Sequence, residues 1–140
     1  MTSLAQRYVE DLRLALAGAS GDFPAAVENS PMRAISREDP KVVSVQLGVE
    51  SIQELLSPRV TRVREIHLIV HTCGDDHLQL AEEVFEAAQP IVMGYSGPNM
   101  VSIVEFGTDE PKYANGDLRR QVVTKRYRIT YQTDEHSLGA

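Results

Sequence analysis

Only one cysteine, Cys73, occurs in the 140-residue chain. That excludes an internal disulfide and suits folding in a reducing cytoplasm. Long apolar runs are missing as well. No window approaches the ~20 apolar residues of a membrane helix, which argues against any membrane partner. The opening Met1-Thr2-Ser3-Leu4-Ala5-Gln6-Arg7 lacks the apolar core of a secretion signal. Positive charge is also short: 14 Lys and Arg stand against 20 Asp and Glu, a net charge of −6. The resulting pI is near 5.2. Gripping a phosphate backbone takes clustered basic residues, so nucleic acid is a poor candidate for a tightly held partner. There is no internal repeat, heptad pattern or low-complexity tract. What remains, 42% hydrophobic and 24% charged, predicts one acidic globular domain over residues 1–140. A core of that size buries roughly 68–70% of the unfolded surface.

The periodicities order the chain. Leu4, Tyr8, Leu12, Ala15 and Leu16 recur at helical spacing behind a Ser3 N-cap, and the glycines at 18 and 21 end that helix. Residues 22–40 are turn-rich, a long loop with room for one or two short strands, such as one at 32–35. Val43, Val45, Leu47 and Val49 alternate with polar residues, predicting a strand over 41–50. A polar break at 51–58 leads into a second strand, in which Val60, Arg62, Arg64, Ile66, Leu68 and Val70 share one face. Its arginines fall at an exposed strand start. Asp75 and Asp76 open a helix whose stripe is Leu78, Ala81, Val84, Phe85, Ala88 and Ile91, bent or ended by Pro90. Strands at 100–106 and 121–132 follow, with the hairpin signal Asn115-Gly116 between them. Residues 133–140 read as a flexible tail. The order predicts an α+β fold in two layers: a mixed or mainly antiparallel sheet with two helices packed on one face.

Few residues suggest chemistry. His67, His71, Cys73 and His77 are the sole metal-like cluster. Extended backbone sets His67 and His71 roughly 13 Å apart, too far for one zinc ion. Cys73 beside His71 has the makings of a nucleophile and base, yet no oxyanion hole or cysteine-hydrolase signature accompanies it. The segment at 94–98 lacks the ending of a phosphate loop. No cofactor is implied. Arg126 and Arg128 share a strand face, open either to acids of a neighbouring subunit or to intramolecular pairing.

Three stretches in order carry a family resemblance. They are the strand Val60-Thr61-Arg62-Val63-Arg64-Glu65-Ile66-His67-Leu68-Ile69-Val70, the amphipathic helix at 78–91, and the closing Lys125-Arg126-Tyr127-Arg128-Ile129-Thr130-Tyr131-Gln132. In these the chain resembles the tail-terminator family of long-tailed phages and tail-like particles such as bacteriocins, typified by the lambda minor tail protein U. Members commonly close on a strand reading Tyr-Arg-Ile-Thr-Tyr. One departure is the segment Pro90-Ile91-Val92-Met93-Gly94, which stands where relatives carry Asp and a Leu-Gly-Gly turn.

The resemblance implies a structural virion protein and not an enzyme. It implies a homo-hexameric ring at the head-proximal end of the virion tail, made in the host cytoplasm. Such a ring caps the tail tube protein, ends polymerisation and meets the head-tail connector or neck, with DNA only passing through its lumen. The interface residues expected on this reading fall in three groups: the hairpin tip Asp109, Glu110, Lys112, Tyr113 and Asp117; the proline-rich Arg33, Arg37, Glu38 and Asp39; and the basic strand start Arg59, Arg62 and Arg64. Two alternatives remain at this point, a tail-completion or neck protein and a small cytoplasmic enzyme using Cys73.

Overall fold

The computed structural model describes residues 2–18, 25–28, 41–74, 76–113 and 120–139. In chain order the elements are α1 (Leu4–Ala17), β1 (Ala26–Glu28), β2 (Lys41–Leu56), β3 (Arg59–Cys73), α2 (His77–Met93), β4 (Met100–Thr108), β5 (Lys112–Tyr113) and β6 (Arg120–Asp134). The strands form one open sheet in the order β1-β2-β3-β6-β4, with β5 also on β6. Only the β1–β2 pairing is parallel; the others are antiparallel. The α+β class expected from the sequence is therefore the one observed.

Alternation explains the layers. Val43 and Val45 of β2, Ile66, Leu68 and Val70 of β3, and Val123, Tyr127, Ile129 and Tyr131 of β6 project from one face of the sheet. Against them pack Leu4, Tyr8, Leu12 and Leu16 of α1 and Ala81, Val84, Phe85, Ala88 and Val92 of α2 in one continuous core. Each fully covered Leu, Ile or Val contributes roughly 1.5–3 kcal/mol relative to an exposed one. Two stripe residues differ from expectation: Ala15 and Leu78 are exposed. Leu78 sits in the first turn of α2, and Ala15 lies off the stripe of Leu4, Tyr8, Leu12 and Leu16 that faces the sheet.

The Ser3 side chain caps α1 by accepting from Gln6 N, and the Gln6 side chain returns to the Ser3 backbone. Asp76 stands at the N-cap of α2 but makes no side-chain capping bond. Pro90 does not end α2. The helix runs on to Met93, and Pro90 O accepts from Gly94 N at 3.0 Å.

The largest departure is at 51–58. In place of a polar break, β2 continues to Leu56 and turns at Ser57-Pro58 straight into β3. Irregularities between Leu47 and Glu50 and between Ile52 and Glu54 disrupt the apolar alternation there. The pairing itself persists, down to Leu56 opposite Arg59. The result is a hairpin arm whose outer β2 residues are exposed and whose β3 side is lined by the end of β6, Arg59 opposite Asp134. Beyond β6, Glu135 N donates to Pro58 O and Leu4 N to Leu138 O. The candidate strand at 32–35 and the Asn115-Gly116 turn lie outside the described residues.

Candidate interaction surfaces

The three expected interface groups have different fates. Arg33, Arg37, Glu38, Asp39 and Asp117 lie outside the described residues. Arg59 is exposed at the tip of the arm. Arg62 and Arg64 are not at an exposed strand start: their side chains are only 14% and 25% accessible. Both guanidinium groups converge on Glu50, with Nη1 at 3.8 and 3.7 Å from the carboxylate. Arg62 Nε also donates to Thr133 Oγ1 at 3.0 Å, and the Tyr131 hydroxyl donates to Glu50. Burial, and then the bond to Glu50, raise the Tyr131 phenol well above its ordinary range. This cluster fastens the arm to the end of β6. The pairing arises because the β2 irregularity turns Glu50 onto the face that Arg62 and Arg64 share.

On the opposite, helix-free face, Arg126 holds Asp109 through two bonds of 2.9 and 3.0 Å and reaches Glu65 at 3.2 Å. Asp109 N also donates to Thr124 O at 2.8 Å. The hydrogen bond from Arg126 is the main cause holding the Asp109 carboxyl below its usual range. Asp109 is thus an anchor for the chain leaving β4, while Glu110, Lys112 and Tyr113 remain exposed. Arg128 stacks 3.5 Å over the Phe106 ring. Within the chain, Arg126 and Arg128 both make intramolecular contacts.

His67 lies across Gly48, where a Cβ would collide with its ring, and bonds Glu65 at 3.1 Å. His71 is buried, which lowers its pKa, and its Nε2 has no partner among the described residues. Cys73 is half-buried at the end of β3. No group of three or more His, Cys, Asp or Glu among the described residues is placed to hold a metal ion. Among the same residues, no helix is long and apolar enough to cross a membrane.

The periodicity reading missed the exposed apolar residues of the two sheet edges. Val49, Ile52, Leu55 and Leu56 stand out from the arm on β2, and Val101, Val104 and Phe106 from β4. The available signal was the run Ile52 to Leu56, with three large aliphatic residues inside the supposed polar break. Two open hollows lie between the helices and the sheet. One of about 370 Å³ lies beside β2 at Arg13, Gln46 and Leu47, and another of about 550 Å³ lies beside β6 at Glu82, Glu86 and Lys125. Neither encloses a convergent set of catalytic groups.

No family model and no curated protein matches the sequence. Among solved structures, the chain is similar to one in the virion of a native gene transfer agent particle. The TM-score is 0.56 at 15% identity, over 94% of this chain and 92% of the other. At that identity the likeness is one of fold.

Proposed function

We propose that the chain is a structural virion protein: one subunit of a hexameric ring that caps the tail tube, ends its polymerisation and offers the surface to which the head joins. The observation that carries this reading is the fold likeness to a chain of a gene transfer agent virion, nearly end to end in both chains. The tail-terminator resemblance of the strand at 60–70, the helix at 78–91 and the closing strand supports it independently. Six copies of a 15.5 kDa chain make a ring of about 93 kDa. Subunits of a closed ring meet through unlike surfaces related by rotation. A net charge of −6 suits a lumen through which DNA slides without adhering.

Electron microscopy of tails from a strain with the gene disrupted tests the reading. Overlong, variable tails unable to join heads are the expected result. Tails of normal length that stay unattached would move the protein to a neck or completion role. Normal particles would overturn the structural reading altogether.

A further inference from the structure

We infer that Arg62 and Arg64 form a half-buried site for a small oxyanion, a phosphate or a carboxylate group, at the root of the hairpin arm. The site goes beyond the ring reading above and does not rest on it.

Register brings the residues together. Arg62 and Arg64 share one face of β3, about 7 Å apart along the strand. Across the sheet Arg62 lies between Ile52 and Tyr131, and Arg64 between Glu50 and Ile129. Tyr131 and Ile129 belong to the buried core. The two guanidinium groups therefore stand beside apolar surface, where charges attract more strongly than in open water. They remain reachable, since 14% and 25% of their side chains is accessible.

Glu50 holds both groups and satisfies neither. One carboxylate answers two guanidinium charges, which leaves a surplus of one positive charge in the cluster. Its Oε2 stands 3.8 and 3.7 Å from the two Nη1 atoms, beyond hydrogen-bond length. Its Oε1 accepts from the Tyr131 hydroxyl instead. Arg62 uses its Nε on Thr133 Oγ1 at 3.0 Å. The Arg64 Nε is buried and has no partner among the described residues.

A guanidinium carries five N–H donors in a planar fork, and a buried donor left unmet is costly. Phosphate and carboxylate oxygens match that fork two at a time. An oxyanion bridging Arg62 and Arg64 would balance the surplus charge and take up the orphaned Nε. Through Arg62 and Thr133 it would also tie the arm more firmly to the end of β6.

Titration calorimetry on the full chain, with inorganic phosphate and with acetate in chloride of matched ionic strength, tests this. Saturable binding of phosphate alone would assign the site to tetrahedral oxyanions, and of acetate alone to carboxylates; binding of both would assign it to either group. Arg64→Gln should weaken binding by about tenfold or more, by removing charge-assisted bonds. Glu50→Gln removes the competing negative charge but keeps an acceptor for Tyr131, so it should tighten binding by about tenfold. Arg13→Gln, a cation on α1 outside the cluster, should leave binding unchanged. Circular dichroism melts establish that each variant folds. If Arg64→Gln does not fold, Glu50→Gln decides, because a loosened fold does not bind an ion more tightly. No saturable binding of either ion, weakening by Arg13→Gln equal to that by Arg64→Gln, or affinity unmoved by Glu50→Gln would each overturn the inference.

Discussion

Removing Glu50 should loosen the arm and lower the stability of the whole domain. The carboxylate faces Arg62 and Arg64 at 3.8 and 3.7 Å and accepts the Tyr131 hydroxyl, with about a quarter of its own side chain accessible. A fully exposed pair is worth under about 1 kcal/mol, and breaking a fully buried one costs about 3–5 kcal/mol. This site lies between those limits. Glu50→Ala leaves two guanidinium groups close together without a counter-charge and a buried phenol without its acceptor. A loss of about 2–3 kcal/mol follows, of which about 1 kcal/mol belongs to the phenol. For a chain of this length that lowers the melting temperature by about 7–10 °C. Calorimetry or thermal circular dichroism reads it directly. Glu50→Gln keeps an acceptor for Tyr131 and should lose less. In a cycle with Tyr131→Phe, the double variant should fall short of the sum by about 1 kcal/mol, since both changes remove the same bond. A Glu50→Ala protein melting within about 2 °C of the parent would refute the argument.

Burial lowers the pKa of His71 below 6.5, so between its folded value and 6.5 the unfolded chain binds more protons than the folded one. Stability from this group is therefore full above that window and falls as pH drops through it. Melting temperatures measured from about pH 7.5 down to about pH 5.5 should decline, and His71→Asn should flatten that decline. Gly97→Ala should destabilise by about 2–3 kcal/mol in denaturant titration, because the new Cβ meets the wholly buried Tyr8 ring. Gly48→Ala should cost about 1 kcal/mol, since the His67 ring can swing aside at the expense of its bond to Glu65. Cys73→Ser should leave particle assembly and infectivity unchanged; a selective loss in a folded variant would revive a catalytic role for the thiol.

Helix and strand identities over most of the chain follow from period alone. The stripes of α1 and α2, the alternation of Val43 to Leu47 and of Ile66 to Val70, and the Ser3 cap are local patterns that need no partner to be read. From these the α+β class and the single helix-bearing face were legible. What the sequence could not determine is where polar residues go once strands pair. Arg62 and Arg64 carry the alternation of a core-facing strand, but only the irregular register of β2 sets Glu50 opposite them. That pairing turns an apparent exposed basic patch into a half-buried clamp. Arg126 likewise gains its role from Asp109, seventeen residues away in sequence and reached only when β4 lies along β6. The continuation of β2 through Leu56 is decided by its β3 partner, because backbone pairing tolerates bulges that erase the side-chain period. The place of β3 and β6 at the middle of the sheet is decided only once strand order is set, since whether a strand is central or outermost is a property of the sheet and not of its own residues.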